Sequence, residues 1–419
     1  MSALPRTAAA DSTAAFLREG YRFIPARCAR HGAPAFRTRL LLRPVVCASG
    51  ADAAAMFYSP GRFTRHGALP PTTVRLLQDL GSVQAQDGAA HTHRKRLFMT
   101  LLAPDAARHL AALAVGRWRE RLPVWRSGVV LHDVLRGVLC EAACRWAGIP
   151  LAPGEGARRT RELAAMIEQA GSFGAGTARA LWLRRCSERW ARALVERVRA
   201  GRLVPPPDSA LAAVAAFRDR DGLPLDSAVA AVELVNLLRP TVAIARFVVF
   251  AAHALHAHPQ WRRRLREDRS EPLLECFVQE VRRLYPFFPA VGGRVREAFS
   301  WRGHDFGIGD WVLFDLYGTN RDPHRWHEPE RFDPTRFAAW DGNAWDFVAQ
   351  GAGDAHLTHR CPGERATIEV MKAFVALLAR EVEYEVPPQD LAIDLSRMPA
   401  LPASGMRLVN LRAAASADG

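Results

Sequence analysis

The stretch Phe347-Val-Ala-Gln-Gly-Ala-Gly-Asp-Ala-His-Leu-Thr-His-Arg-Cys361-Pro-Gly-Glu364 decides the fold, because it carries one cysteine from a glycine-containing loop to the start of a helix. The helical pattern then continues over Arg365 to Arg380. A helix N-terminus has unpaired N–H groups and a positive dipole end, and both favour a thiolate. Taken alone, the pattern leaves two interpretations open: a reactive or metal-binding thiolate, or an ordinary buried free cysteine.

Three shorter motifs precede this loop in a fixed order: Glu280-Val-Arg-Arg283, Asn320-Arg-Asp-Pro323 and Pro334-Thr-Arg336-Phe337. A lone Glu-x-x-Arg pair is usually a solvated pair on a helix surface. Together with the Cys361 loop, however, the ordered set resembles the cytochrome P450 superfamily. The resemblance implies a mainly α fold with small β-sheets, the cytochrome P450 fold, and a haem b cofactor with a cysteine thiolate as axial iron ligand. Such a thiolate favours cleavage of O–O bonds.

The resemblance also assigns roles to individual residues. Cys361 becomes the iron ligand, and Glu280, Arg283 and Arg336 become a structural triad that locks the irregular segment beneath the haem. The segment His91 to Phe98, which follows Asp87-Gly88, looks like the superfamily's helix with haem-propionate contacts. His91 and Lys95, with His359 beside the cysteine, are therefore expected to contact the propionates. The alternative for each is a solvated helix residue.

The apolar stretch Ala228 to His258 is long enough to raise the question of a membrane span. Polar residues interrupt it, so we expect a buried core helix and no membrane span. The superfamily usually carries an acid followed by threonine here, whereas this chain has Arg239-Pro240-Thr. Proline is expected to kink the helix, and a buried arginine is costly unless an anion meets it. Arg239 is predicted either to form an internal salt bridge, for example with Glu233, or to hold a substrate carboxylate.

The Arg239-Pro240 pair, Gln84 within Val83-Gln-Ala-Gln-Asp-Gly88, and Arg283-Leu-Tyr-Pro-Phe-Phe-Pro289 resemble the bacterial fatty-acid peroxygenase branch of the superfamily. The resemblance implies hydroxylation of long-chain fatty acids at the α or β carbon, driven by hydrogen peroxide without an obligatory reductase. Arg239 would hold the carboxylate, which would act as general acid–base beside Pro240. Gln84 would line the pocket above the haem and favour hydroxylation over decarboxylation. Phe287 and Phe288 would flank the acyl channel, or be ordinary core aromatics.

Four residues depart from that branch, which more often shows Pro, Gly, Gly and Trp where this chain has Ala349, Ala352, Thr358 and Arg365. Thr358 is the most consequential, because a β-branched residue near the thiolate can change the loop backbone or the hydrogen bonds to sulfur. Four alternatives to a peroxide-driven hydroxylase remain: a decarboxylase giving terminal alkenes, a reductase-dependent monooxygenase, a non-catalytic haem-binding protein, and a basic RNA- or DNA-binding helical protein without haem.

The net charge of +14 raises the possibility of a nucleic-acid partner. The excess is almost entirely arginine spread through the helical segments, and Lys95 and Lys372 are the only lysines, so we expect no such partner. Seven cysteines without paired CxxC spacing argue against a structural zinc site or a disulfide framework. Met1 to Ala15 lacks the features of a secretory signal, which favours a cytoplasmic location.

Coarse patterns complete the expected architecture. Residues 36–49 predict a β-hairpin, about 105–258 a run of helices, Phe299 to Leu316 a second β region and Asn320 to Trp345 an ordered irregular segment. We found no internal repeat or flexible linker, so residues 1–419 are predicted to form one haem-thiolate domain.

Overall fold

Helices dominate the part of the chain that the computed structural model describes, residues 4–79 and 81–414. They are α1 (Thr13–Glu19), α2 (Phe23–His31), α3 (Ala51–Phe57), α4 (Pro71–Leu77), α5 (Gly88–Leu101), α6 (Pro104–Arg121), α7 (Leu131–Trp146), α8 (Glu155–Glu168), α9 (Ala175–Arg199), α10 (Ala210–Ala216), α11 (Ser227–Ala257), α12 (Pro259–Glu267), α13 (Glu271–Leu284), α14 (Leu316–Thr319) and α15 (Glu364–Ala376). A π-helical turn, Leu377–Glu381, extends α15. The predicted run of helices between residues 105 and 258 is confirmed.

Within the described ranges, the strands are short and form three small sheets. They are β1 (Ala35–Leu40), β2 (Arg43–Ala48), β3 (Phe63–Thr64), β4 (Val129–Val130), β5 (Ala290–Val295), β6 (Phe299–Trp301), β7 (His304–Phe306), β8 (Trp311–Asp315), β9 (Val382–Glu385) and β10 (Arg407–Ala413). The largest sheet has the order β1-β2-β8-β5-β3, and within it only β2 and β8 run parallel. The predicted hairpin and the predicted second β region are both confirmed, so the fold is mainly α with small sheets.

Helix α11 crosses the centre of the main core and packs against α7, α9 and α15. Asp226 caps its N-terminus, because the carboxylate accepts from the N–H groups of Ala228 (2.8 Å) and Val229 (3.4 Å). The helix continues through Pro240 without a break. By length and composition it could cross a membrane, but 94% of its most apolar window is buried inside the protein. It is therefore a core helix, as the interrupting polar residues predicted.

The chain between α14 and α15 is largely irregular yet well packed. One 3₁₀ turn, Pro334–Phe337, interrupts it, and aromatic side chains such as Trp326, Phe337 and Phe347 pack together along it. This segment leads directly into the loop that carries Cys361, so its packing fixes where that loop begins. The predicted ordered irregular segment is confirmed.

Candidate functional site

The loop before α15 presents Cys361 close to the start of the helix. Its backbone N–H donates to the carbonyl of Gln350 (2.9 Å), which ties the two ends of the loop together. Gly351 has a φ of +102°, and an added side-chain carbon there would meet the backbone of Arg360 at 2.9 Å. Glycine is therefore required at this position for the loop to close around the cysteine.

Opposing effects act on the thiol of Cys361. Burial raises its pKa above the ordinary value, the N–H of Gly363 lowers it, and the carboxylate of Glu364 raises it again. Smaller contributions from Lys95 and Gln350 lower it. The helix start thus supplies the hydrogen bond that the sequence predicted, but it does not offset burial. A bound metal cation is the kind of partner that would convert this thiol to a thiolate.

Basic side chains crowd around the same loop. The rings of His91 and His359 lie 4.1 Å apart, and the ammonium of Lys95 donates to the backbone carbonyls of Thr358 and of Arg360, the latter at 2.7 Å. Burial lowers the pKa of His91 to about 3 and of Lys95 to about 8. One carboxylate, Asp87, lies 3.9 Å from His359. Burial likewise lowers the pKa of His359 to about 4, so both imidazoles are neutral at pH 7 and Lys95 carries the positive charge of the cluster. The cluster thus offers one cation and two imidazoles that can hydrogen-bond to a carboxylate.

The structure brings the predicted triad into direct contact. The carboxylate of Glu280 accepts from Arg283 Nε (2.7 Å) and Nη2 (2.8 Å) and from Arg336 Nε (3.2 Å), and Glu280 and Arg283 are fully buried. Arg283 also donates to the carbonyls of Asn320 (3.0 Å) and Pro329 (2.8 Å). The alternative of a solvated surface pair is wrong for these residues, because the pair lies in the interior.

A second buried ion pair holds the start of α15, and sequence reasoning missed it. Arg282 forms an ion pair with Glu364 and donates to Gln350 Oε1 at 3.1 Å. Glu364 also accepts from Arg360 Nε at 2.6 Å. The only available signal was the position of Arg282 beside Arg283 in the Glu-x-x-Arg motif. Adjacent helix residues point in different directions, so the two arginines fix two different segments.

Three polar residues at successive i, i+3 positions mark one side of α11: Glu233, Asn236 and Arg239. Glu233 accepts from the N–H of Val83 (2.7 Å) and pairs with Arg94 (3.4 Å), so the predicted salt bridge between Glu233 and Arg239 is wrong. Burial raises the pKa of Glu233 to about 7. Glu233 is thus occupied by another arginine and is not available to neutralise Arg239.

Arg239 is 7% exposed and lacks a carboxylate partner among the described residues. Its Nη2 donates to the carbonyl of Leu77 (2.6 Å), while its Nε is buried without a hydrogen-bond partner. Burial, followed by the nearby charge of Arg184, lowers the pKa of Arg239 to about 9, whereas the charge of Cys361 acts in the opposite direction. The group therefore remains a buried cation at neutral pH, and an acidic ligand would complement it.

The end of α4 is clamped by buried side chains from two other helices. The carbonyl of Leu76 accepts from Arg184 of α9 (2.9 Å), that of Leu77 from Arg239 and that of Gln78 from Asn236 (2.9 Å). These contacts satisfy carbonyls that a helix C-terminus leaves unpaired. Neither Arg184 nor Asn236 was predicted from the sequence as a site residue. The spacing of Asn236 and Arg239 was a visible signal, whereas the contact from α9 depends on tertiary packing.

The remaining predicted residues lie around this clamp. Gln84 is half-buried in a 3₁₀ turn after α4, and its Oε1 accepts from Asn236 Nδ2 at 3.4 Å. Pro240 follows Arg239 within α11. Phe287 stacks on Phe247 of α11 at 4.6 Å between ring centroids. Phe288 lies edge-on to Phe287 and lines a cavity, so these two aromatics face different surroundings.

This cavity of about 170 Å³ is lined mostly by apolar side chains. Leu77 and Phe288 line it, together with Leu40, Leu69, Trp311 and Leu313. Because Arg239 donates to the carbonyl of Leu77, the cavity wall and the buried cation share one residue. The arrangement suits a ligand with an anionic head and an apolar body.

Thr358 is buried within the cysteine loop. Its hydroxyl lies 2.9 Å from the carbonyl oxygen of Ala352 and 2.8 Å from that of Asp354, which share its one proton, and it accepts from the N–H of Arg360 at 3.2 Å. Its side chain thus braces the loop from inside. Arg365 instead points outward and pairs with Glu369 at 2.6 Å.

A family model described as cytochrome P450 matches residues 262–405. Putative cytochrome P450 120 of Synechocystis sp. is 26% identical over 405 residues, which cover 87% of this chain and 87% of that protein. The match to cytochrome P450 71D2 of Catharanthus roseus is 32% identical over 136 residues, 31% of this chain, and spans only 26% of that relative's length.

Two solved structures are similar over nearly the whole chain. Cytochrome P450SP alpha in complex with (R)-ibuprophen is 44% identical, with 96% of this chain and 99% of that chain covered and a TM-score of 0.93. Cytochrome P450EX alpha with myristic acid is 39% identical, with 99% and 100% covered and a TM-score of 0.95. This chain therefore belongs to the cytochrome P450 family, in the branch that contains these two proteins.

Proposed function

We propose that the protein uses hydrogen peroxide to hydroxylate long-chain fatty acids at the α carbon, or at the β carbon next to it. The observation that carries the proposal is Arg239, a buried cation without a carboxylate partner among the described residues, beside an apolar cavity. A fatty acid offers the missing carboxylate and an apolar chain. In this proposal residues 1–419 act as one haem-thiolate domain in the cytoplasm, without a nucleic-acid partner or an obligatory reductase.

The cofactor of a cytochrome P450 is haem with a cysteine thiolate on the iron. Cys361 is the proposed ligand, because its thiol stands at the start of α15 and receives the N–H of Gly363. His91, Lys95 and His359 would hold the propionates, because the two imidazoles can donate N–H groups and Lys95 adds a positive charge. When bound, a thiolate-ligated haem supplies the oxidising power for O–O cleavage and for oxidation of a C–H bond.

Arg239 would bind the carboxylate through charge-assisted hydrogen bonds. Its Nε has no partner and its Nη2 reaches only the carbonyl of Leu77, so it retains donors for a ligand. Because the guanidinium is buried, water competes weakly for these donors. Losing one partner of a buried ion pair costs about 3–5 kcal/mol, or roughly two to three and a half orders of magnitude in affinity.

Proton transfer is assigned to the bound substrate, because α11 offers no suitable acid beside Arg239. Pro240 has no N–H, and the hydroxyl of Thr241 donates to the carbonyl of Leu237 at 3.0 Å. The fatty-acid carboxylate would therefore take a proton from one oxygen of hydrogen peroxide and deliver it to the other. Arg239 holds the carboxylate in place while this happens.

Anchoring the head group also sets the position of oxidation. With the carboxylate on Arg239, the α and β carbons are the chain atoms closest to the head group, and they are presented in a fixed orientation. Phe288 lines the cavity that would take the acyl chain. Phe287 packs between Phe288 and helix α11. The amide of Gln84 does not titrate, which supports hydroxylation over decarboxylation assisted by a basic side chain.

The ligands of the similar structures support a carboxylic-acid substrate. Cytochrome P450SP alpha was solved with (R)-ibuprophen and cytochrome P450EX alpha with myristic acid. Both ligands combine a carboxylate with an apolar body. That is the combination which Arg239 and the apolar cavity would accept.

The test is to mix the holoenzyme with hydrogen peroxide and myristic acid, without a reductase, and to analyse products by mass spectrometry. We expect 2-hydroxy or 3-hydroxy acid from the wild type and none from Arg239→Leu, which should retain its haem. Methyl myristate, which lacks the charge, should not react. Terminal alkene as the main product would indicate a decarboxylase. Product only with ferredoxin and reductase, or in neither assay, would refute the peroxide-driven mechanism.

A further inference from the structure

Large apolar side chains are exposed around the mouth of the apolar cavity. Leu17 of α1, Leu41 of the β1–β2 turn and Phe173 of the α8–α9 loop all line the cavity and are also exposed to solvent. Phe173 is 60% exposed, and Leu42, next to Leu41, is 76% exposed. We refer to these four residues as the apolar rim. An exposed apolar patch of this kind usually marks a surface that contacts something else.

The backbone at the hairpin tip gives independent support. Leu41 and Leu42 form a two-residue turn with φ of +53° and +61°. Turns of this kind favour Asn and Gly, because a left-handed residue with a side chain is strained by about 1–2 kcal/mol. Folding alone would not favour leucine at either position. Two leucines at an exposed tip therefore indicate that their side chains serve a contact outside the molecule.

The tip is also held in one orientation. The N–H of Leu41 donates to Thr13 Oγ1 (2.6 Å), and the N–H of Leu42 donates to Asp11 Oδ2 (2.7 Å). These bonds join the tip to the start of α1, the helix that carries Leu17. The two elements therefore present their leucines together.

Basic residues flank the apolar rim on the side formed by α1 and the β1–β2 turn. Arg18 is next to Leu17, and Arg39 and Arg43 flank the turn; all three are exposed. The nearby acids are already engaged, Asp11 with the turn backbone and Glu19 with Arg27 at 2.6 Å. The net charge of the whole chain is +14. Apolar side chains bordered by arginine are complementary to a membrane interface that contains anionic lipid.

We propose that the apolar rim docks on an anionic phospholipid surface, so that the fatty acid enters the cavity from the bilayer. This inference rests on the proposed function only in taking the ligand of the cavity to be a fatty acid. A lipid surface is favoured over a carrier protein because the rim combines exposed apolar side chains from three separate elements with flanking arginines, as an anionic bilayer interface requires. Long-chain fatty acids also partition into bilayers, for the same reason that they suit the cavity.

Vesicle co-sedimentation of the full-length holoenzyme tests the proposal. The probes are vesicles of equal parts phosphatidylglycerol and phosphatidylcholine, and vesicles of phosphatidylcholine alone. We expect binding to the anionic vesicles, weakening with added salt. Leu42→Asn should weaken the binding about fivefold, and the double variant Leu42→Asn with Phe173→Asn at least about thirtyfold. Each substitution removes an apolar side chain that would be buried in the lipid interface.

Val204→Asn is the matched control, since Val204 is 87% exposed but does not line the cavity. It should bind vesicles like the wild type. Leu42→Asn should fold normally, because asparagine tolerates a left-handed backbone, and its midpoint of thermal unfolding should not fall. Leu42→Gly provides a second variant with the same expectation for the fold.

Absence of binding to anionic vesicles, or equal binding by the rim variants and the wild type, would overturn the proposal. Sedimentation needs no turnover, so its result does not depend on the proposed chemistry. Vesicle binding without hydroxylation would leave docking in place and remove the peroxygenase function. Hydroxylation of dissolved fatty acid without vesicle binding would support the peroxygenase function and overturn the docking proposal.

Discussion

Replacing Glu280 with glutamine should be among the most destabilising polar substitutions in this protein. The Glu280 carboxylate is fully buried and accepts from Arg283, from Arg336 Nε at 3.2 Å and from the N–H of Asp333 at 2.8 Å. Glutamine keeps the size but directs an NH₂ group at these donors. The guanidinium groups of Arg283 and Arg336 would then have only carbonyl oxygens as acceptors, with no negative charge beside them.

The expected loss follows from the burial of this cluster. Removing one partner of a buried ion pair costs about 3–5 kcal/mol, because the charge left behind is uncompensated. A typical protein has a free energy of unfolding of about 5–15 kcal/mol, so Glu280→Gln would remove a large part of it. Urea denaturation followed by circular dichroism measures the change directly, provided that the slope with denaturant stays the same.

Glu328→Gln is the matched control in the same irregular segment. Glu328 pairs with Arg331 at 2.7 Å, but both side chains are at least half exposed. Such a surface pair contributes about 0–1 kcal/mol, so this variant should unfold almost like the wild type. A loss below about 1 kcal/mol for Glu280→Gln, or equal losses for both variants, would refute the assignment of a buried structural triad.

Glu233→Gln tests the pH dependence of the core. Burial raises the folded-state pKa of Glu233 to about 7, so the wild type should lose on the order of 2–3 kcal/mol of stability as the pH rises from about 4.5 to about 7. The variant should lack this loss. Urea denaturation at pH 5 and pH 8 measures the difference, and parallel stability profiles for the two proteins would contradict the raised pKa. Arg184→Gln should weaken fatty-acid binding about tenfold, because the carbonyls of Leu76 and Gln78 lose a donor and the end of α4 loosens. Spectral titration with a fatty acid measures the affinity, and an unchanged affinity would show that Arg184 does not help to position the ligand.

The sequence predicted those elements whose pattern is local and periodic. The α11 helix, the β1–β2 hairpin and the helix after Cys361 lie where their apolar spacing and turn residues indicated. Strand β5 was not predicted, since Gly292 and Gly293 weaken its alternation. The parallel pairing of β2 with β8 joins residues about 270 positions apart, such as Val46 and Val312, and no local pattern specifies it.

The candidate site residues likewise fall into those that a local sequence pattern predicts and those that depend on tertiary contacts. Cys361 and the triad were found because short motifs carry them, and Arg239 was found because a charge interrupts an apolar helix. Its partner was not found: Glu233 was a reasonable acid on the same helix, but it pairs with Arg94 instead. The actual acceptor is the backbone carbonyl of Leu77, which no sequence pattern distinguishes from any other carbonyl.

Two buried arginines of α11 differ in how their charges are compensated. Arg246 is neutralised by Glu168 at 2.8 Å and donates to the carbonyl of Ala400 at 3.0 Å, so its charge is compensated inside the fold. Arg239, two turns earlier, has the carbonyl of Leu77 and no acid among the described residues. An uncompensated buried charge lowers stability, and a sequence selected only for stability would replace or pair it. Retaining the charge leaves the favourable interaction to be made by a ligand. The cost at Arg239 would therefore be the physical basis for the carboxylate affinity that we propose.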